Sequence, residues 1–380
     1  MKLIYQNFDG LDVAFQGAFP EELLEILREA KDKAKQHDGM EILVHIGQSN
    51  MPVLVAGSGA RGGYAYRFDT GPDGAIWFVA HSTKTDRWNI RVSLTSLNLA
   101  LNGYEGARDN LRAQLLDFGA VGSLADLPLP ASIGRADYCF DFIMDDFEPI
   151  PTNFVAHSRS TVASHEEMMA QVVRRGRKTL TITVGKMPNR QVTIYNKTRE
   201  IVDHNKPYWW DIWGIEKETF QGQIFRVEVR AGKHELDQWN IKNFGQFEQK
   251  IGDVLIETLS SIKYTEPSDD ENPSRWPLHQ IWQSCLDAAK NALAPYSSNA
   301  ERKKIITDLR ENLVDRAQKN FRGSVATFNH LLGHSPEEVT QTLEVINDDV
   351  ESFAKNQKEE FRKKCKKAGD KYVFLKYRKK

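Results

Sequence analysis

Before residue 265 the apolar positions of the chain recur mainly in short runs. MEILVHIG, MPVLVAGS, GYAYRFD, AIWFVAHS and WNIRVSLTS are β-branched or aromatic stretches separated by Gly, Pro, Asn and Asp, which predicts a meandering antiparallel sheet. Three-and-four spacing predicts a helix from Pro20 to about Gln36 ahead of these strands and another from about Ser96 to Asp117 behind them. A second set repeats the rhythm: GRADYCFDFI, a helix near His165 to Arg174, then TLTITVG, RQVTIYN and IFRVEVR, closed by a long helix from Glu235 to about Ser261. TEPSDDENPSRWP (Thr265 to Pro277) holds prolines and clustered acids that no element interior tolerates, so it reads as a linker. Beyond it, residues 277–293, 299–331 and 335–367 carry helical spacing, and Ser335-Pro336-Glu337-Glu338 supplies an N-cap, a proline at the first helical position and acids in the first turn. The expected class is α+β: an N-terminal unit (1–125), a second α+β unit (126–264), the linker (265–277) and a helical region (278–380).

Composition narrows the function classes without choosing one. The 380 residues hold 51 Lys/Arg against 52 Asp/Glu, so global charge predicts no partner. The distribution is uneven, because residues 351–380 carry twelve Lys/Arg against four Asp/Glu, a local excess of +8. Three scattered cysteines, Cys139, Cys285 and Cys365, form neither a disulfide framework nor a Cys-based zinc site. No stretch has signal-peptide character, and none approaches the roughly 18 apolar residues that a membrane span needs. A reducing cytoplasm and no membrane partner are therefore expected.

Several familiar motifs fail on context. GSGARG (Gly57, Gly59, Gly62) matches G-x-G-x-x-G, but GYAYRFDTG follows it rather than a helix, so tight turns between strands are expected. There is no GxxxxGK[ST] and no GxSxG, and none of the ten histidines forms HExxH or a zinc-deaminase pattern.

Three strands present polar residues at every second position. Alternation puts Arg135, Asp137, Cys139 and Asp141 on one face, opposite Ala136, Tyr138, Phe140 and Phe142. Arg226, Glu228 and Arg230 likewise share a face, as do Gln191, Thr193, Tyr195 and Lys197. A solvated face with cross-strand ion pairs is the plain alternative. Taken together, these residues suit metal-assisted transfer of a phosphodiester to tyrosine. Carboxylates would hold Mg²⁺ or Mn²⁺, arginines would clamp non-bridging oxygens, and a cation such as Lys197 would favour the phenolate of Tyr195. Asp137 and Asp141, four apart on a strand, lie about 13 Å apart, too far to share one ion on a regular strand, whereas either could act with Glu228 across about 5 Å.

The order R-A-D-Y-C-F-D, T-I-T-V-G, V-T-I-Y-N-K-T-R-E, F-R-V-E-V-R resembles the replication initiation factor family (Rep_trans), the rolling-circle initiators of plasmids and some filamentous phages together with related relaxases. The likeness spans roughly residues 40 to 265. It implies an antiparallel-sheet Rep-like core that nicks one DNA strand at an origin through a tyrosine left joined to the 5′ phosphate. Tyr195 takes the nucleophile's position, Arg135, Asp137 and Asp141 the Arg-x-Asp strand, and Arg226 and Glu228 the Arg-x-Glu strand. Mg²⁺ or Mn²⁺, origin DNA melted or in a hairpin at the nick site, and a host helicase are the implied cofactor and partners, with homodimerisation left open. A relaxase for conjugative transfer and a non-catalytic origin-binding protein of the same fold are the alternatives. The family's doubled acid follows its Arg-x-Asp strand directly, whereas Asp145-Asp146 falls later here.

Further DNA contacts are expected from Trp209 and Trp210, within the aromatic run YWWDIW, by stacking on splayed bases. Arg230 and the basic turn of Arg174, Arg175, Arg177 and Lys178 are expected to touch phosphates, as are Lys363, Lys364, Lys366 and Lys367 in the basic tail.

Overall fold

The computed structural model describes residues 1–37, 39–122, 129–156, 171–175, 178–292 and 302–372. Two compact units divide the chain, Met1–Ala300 and Glu301–Lys380. The first runs β1 (Lys2–Phe15), α1 (Glu21–Gln36), β2 (Ile42–Ile46), β3 (Met51–Val55), β4 (Tyr64–Asp69), β5 (Ala75–Ala80), β6 (Ile90–Leu94), α2 (Ser96–Asp117) and β7 (Ala131–Ile143). It continues with β8 (Phe154–Ala156), β9 (Gln171–Arg175), β10 (Lys178–Gly185), β11 (Arg190–Asn196), α3 (Lys197–Asp203), α4 (Trp209–Trp213) and β12 (Ile224–Gly232). It closes with α5 (Lys233–Gln238), α6 (Phe244–Ser261), β13 (Ile262–Tyr264) and α7 (Gln280–Ala289).

Among the described residues, eleven strands form one sheet in the order β2-β3-β4-β5-β6-β1-β7-β12-β11-β10-β9, and every neighbouring pair is antiparallel. The α+β class is as expected, but the cut near residue 125 has no counterpart. β1, which the run-and-turn pattern did not reveal, pairs with β6 on one side and along its whole length with β7 on the other. The two halves are thus wings of one sheet sharing one continuous hydrophobic core. β1 escapes notice because its alternation is broken by three register shifts, at Leu3/Tyr5, Phe8/Gly10 and Asp12/Val13, the last two beside Asp9 and Asp12.

One face of the sheet is apolar throughout. Val55, Phe68, Trp77, Val92 and Val13 follow one another across the N-terminal wing and pack against Leu24 and Leu27 of α1 and Leu111 and Leu115 of α2. Tyr138, Phe140 and Phe142 of β7 continue the same core, where Phe8 meets Phe247 of α6 at 5.5 Å between ring centroids. The opposite face is therefore left to polar side chains.

Three expected elements resolve differently. Gln171–Arg175 is a strand rather than the end of a helix, and the remainder of the helix expected near His165 lies outside the described residues. The long helix from Glu235 is two helices, α5 and α6, because Asn240 adopts a left-handed φ of 53° and Asn243 caps a fresh start by accepting from Gln246 N–H. Thr265–Pro277 is no interdomain linker. Thr265 pairs with Leu278 and is buried, Glu266 N–H donates to Pro277 O, and α7 beyond it buries Trp282 and Cys285 in the first unit. Gly57, Gly59 and Gly62 form the β3–β4 connection, where a Cβ on Gly59 would lie 2.2 Å from Tyr64 O.

The second unit holds α8 (Arg302–Leu331), α9 (Val339–Asn356) and α10 (Lys358–Lys371). Ser335 caps as expected, and with Glu338 it forms a capping box ahead of α9. Asn329 closes the α8–α9 turn, donating to His334 O at 3.1 Å and Ser335 O at 2.8 Å and accepting from Thr342 at 2.7 Å. No helix among the described residues is long and apolar enough to cross a membrane.

Phe140 is fully buried on the central strand β7. Phe140→Ala is expected to cost about 3–5 kcal/mol in urea denaturation, because the cavity opens where both wings pack and neither can collapse into it.

Candidate active site

Register does the work that alternation alone cannot. β12 lies between β7 and β11, so side chains on the polar face line up in rows across three strands. Tyr195 pairs with Arg226, which pairs with Asp141; Thr193 with Glu228, which pairs with Cys139; Gln191 with Arg230, which pairs with Asp137. The three motif strands thus converge on one surface, as their alternation predicted.

The innermost row holds an ion-pair network whose Arg226 and Asp141 are fully buried. Arg226 has no exposure; its Nε and Nη2 donate to the two oxygens of Asp141 at 2.6 and 2.7 Å, and its Nη1 donates to Asp9 at 2.6 Å. Trp213 Nε1 donates to Asp141 Oδ2 at 2.8 Å, and the Trp209 ring supports the guanidinium at 4.2 Å. A guanidinium out of water must be paired on every edge, and here it is. Two expectations change as a result. Asp141 is no cation ligand, since both oxygens are committed, and Arg226 clamps no phosphate, since its edges face inward. Asp9 was not foreseen. The signal available was Phe8-Asp9-Gly10, a glycine inside a strand, which marks the bulge that turns Asp9 towards Arg226.

The other two rows face outward. Tyr195 Oη donates to Glu228 Oε2 at 3.3 Å, and Arg230 Nε donates to Glu228 Oε1 at 2.7 Å while lying 3.9 Å from Asp137 Oδ2. Arg135 holds Asp137 through Nε at 2.8 Å and through Nη2. The two carboxylates are almost covered, at 5% and 4% side-chain exposure for Asp137 and Glu228, whereas Arg135 and Arg230 keep 38% and 29%. The result is an acidic floor with a guanidinium rim. Gly10 of β1 lets the backbone approach, for a Cβ there would stand 3.1 Å from Asp137 Oδ2.

Burial sets the protonation of this floor. It pushes the Asp137 carboxyl up to about 7, with the Glu228 charge adding to the rise and Arg135 and Arg230 opposing it. Burial also pushes the Tyr195 phenol up, and Glu228 adds to that, against Arg226. Lys197 does not activate the phenol. It opens α3 instead of extending β11, donates to Glu200 Oε2 at 2.7 Å, and meets Tyr195 only over the ring, 5.7 Å from its centroid. Burial and Arg226 push its amine down.

Trp209 and Trp210 are buried, at 0% and 9% exposure, so neither offers a face to a base. The aromatic run serves instead as packing beneath Arg226 and Lys197, which lies 4.6 Å over the Trp209 ring. Arg174 and Arg175 belong to β9 and Lys178 to β10, while Arg177 lies outside the described residues. Lys363, Lys364, Lys366 and Lys367 are exposed along α10 of the second unit.

Among the described residues no three His, Cys, Asp or Glu side chains are grouped to hold a metal ion. Asp137 and Glu228 fit a lesser demand. Their oxygens are held by Arg135, Arg230 and Tyr195, but unlike the buried Arg226 these two arginines are part-exposed and can turn to phosphate oxygens, and one or two carboxylates freed in that way, with water and phosphate oxygens, suffice for Mg²⁺.

Arg226→Met would leave the Asp141 charge buried without its partner and is expected to destabilise the protein by about 3–5 kcal/mol in urea denaturation, with Arg226→Met/Asp141→Leu recovering much of that loss. Asp137 gives a pH test. An acid raised on folding stabilises most below its unfolded range near about 4 and loses that contribution as pH rises through about 7. The unfolding free energy of Asp137→Asn relative to the parent, read from urea denaturation across pH, should therefore climb between these limits, by on the order of 4 kcal/mol at most.

No protein-family model and no curated protein sequence matches the chain. Among solved structures it is similar to "Structure of Rolling Circle Replication Initiator Protein from Geobacillus stearothermophilus", at 16% identity and a TM-score of 0.37, over 77% of this chain and 98% of that one.

Proposed function

We propose that the protein is a rolling-circle replication initiator that nicks one strand of origin DNA by transesterification to Tyr195. The observation that carries this is the Tyr195 hydroxyl donating to Glu228 Oε2 at 3.3 Å, on a carboxylate floor rimmed by two part-exposed guanidiniums. A phenol kept protonated by burial needs a base at the moment of attack, and Glu228 stands in hydrogen-bond reach to take that proton. The phenol oxygen forms the new bond to the 5′ phosphorus, the bond from phosphorus to the 3′ oxygen breaks, and that oxygen leaves as a hydroxyl with a proton from water. Arg135 and Arg230 on the rim would hold the non-bridging oxygens. Mg²⁺ or Mn²⁺ on Asp137 and Glu228 would polarise the phosphate and absorb charge at the leaving oxygen.

The buried Arg226 network serves this scheme by fixing β12 against β7 and β1, which sets Glu228 beside Asp137, while the β11–β12 ladder brings Tyr195 to Glu228. Exposed Lys363, Lys364, Lys366 and Lys367 on α10 supply phosphate contacts that carry no sequence information. A host helicase would then unwind from the nick.

With supercoiled cognate DNA and Mn²⁺, the protein is expected to yield open circles and protein bound to a 5′ end, and EDTA should abolish both. Tyr195→Phe should form no adduct. Glu228→Gln should slow cleavage by roughly 10²–10⁴ while DNA is still bound. An adduct formed by Tyr195→Phe would overturn the assignment.

A further inference from the structure

The polar face of the sheet does not stop at β7. Asp137 pairs with Gly10, and Arg135 with Asp12 of β1; Asp12 pairs with Ser93, Ser93 with Ile76 and Ile76 with Asp69. One step further along, Ala14, Arg91, Phe78 and Arg67 follow one another across β1, β6, β5 and β4. Antiparallel partners share a face, so the nicking surface continues without a break over the N-terminal wing. Helices α1 and α2 are packed on the other side, against Phe68, Trp77 and Val92.

This continuation is aromatic and cationic where a plain solvated face would be aliphatic or mixed-charge. The Arg91 guanidinium lies 4.2 Å over the Phe78 ring and 5.5 Å from the Tyr64 centroid, and the two rings are 6.4 Å apart. Tyr64 is there because of an irregularity. Tyr64 and Tyr66 are two apart and would share a face, yet Tyr66 is buried in the core, and the register shift between them turns Tyr64 outward. Arg91 Nε is covered and has no hydrogen-bond partner. The loop joining β5 to β6 adds exposed Lys84, Arg87 and Trp88, the last 45% exposed. Of the acids, Asp12 is engaged by Ser93 at 2.6 Å, Asp69 by Gly71 N–H at 2.8 Å and Glu41 by Arg67 at 3.8 Å, while Asp86, between Lys84 and Arg87 in the loop, is exposed. Three strand spacings and four residues separate Phe78 from Asp137, about 20 Å.

We propose that Tyr64, Phe78 and Arg91 form a stacking platform for single-stranded DNA, holding the strand that flanks the scissile phosphate. Its place beside the nick rests on the nicking function proposed above; its chemistry does not. Bases stack on aromatic and guanidinium planes without regard to sequence, and neighbouring cations follow the backbone. An arginine laid over two rings on an open sheet face merely as local packing would bind nothing.

The test uses the full chain carrying Tyr195→Phe, so that no covalent link forms, and fluorescence anisotropy with a labelled oligothymidylate. Arg91→Met with Phe78→Leu, and separately Tyr64→Leu, keep apolar volume while removing the planes. Each is expected to weaken binding roughly ten- to a hundredfold with an unchanged thermal midpoint. Unaltered affinity in both overturns the platform, as does tighter binding of an oligouridylate than of the oligothymidylate. Adduct formation by Tyr195→Phe would remove the nicking chemistry and leave this binding result standing, whereas normal binding by the platform variants beside a dead Tyr195→Phe would remove the platform alone.

Discussion

A guanidinium with no access to water ties the centre of this molecule together. Arg226 reaches Asp141 on β7 through two hydrogen bonds and Asp9 on β1 through a third, so three adjacent strands are joined by one side chain. Removing such charges from solvent costs several kcal/mol each, and only full pairing offsets it. The network therefore tolerates few registers: a slip by one residue would move Arg226 to the apolar face and strand both acids. Whatever chemistry the surface performs depends on that lock, because it sets the strand of Glu228 against the strand of Asp137, and the β11 ladder then places Tyr195 beside Glu228.

The same interior explains why charges near the tyrosine behave unlike their counterparts in water. Arg226 is saturated by two aspartates, and Lys197 by Glu200, so neither positive charge is spare for the phenolate. Burial and Glu228 then dominate, and the phenol stays protonated with its proton directed at a carboxylate. Asp137 is governed by the same competition. Burial outweighs Arg135 and Arg230, and the carboxyl is left poised near neutrality, where an approaching cation or phosphate shifts its ionisation readily.

Division of labour between the sheet faces follows from packing. Helices α1, α2 and α6 cover one face, and their apolar contacts run unbroken from the N-terminal wing to β12. The opposite face is polar from the carboxylate floor to the stacked Arg91 and Phe78, and the short α4 covers only its Arg226 row with Trp209 and Trp213.

Alternation and turn chemistry were enough to locate most strands, to separate the polar face of β7, β11 and β12 from the core face, and to bring Tyr195, Glu228, Asp137, Arg135 and Arg230 into one candidate set. These are local properties: a period of two and a Gly or Asn boundary are written in a few consecutive residues. What each polar residue does was not local. Only pairing across strands more than 80 residues apart in sequence revealed that Arg226 and Asp141 spend themselves on each other. Only the bulge in β1 brought in Asp9, and only the aromatic packing beneath them placed Trp209 and Trp210 inside. Sequence fixes which side chains can face the same way; desolvation decides which of them must be consumed in neutralising one another, and that is settled when distant strands close the protein interior.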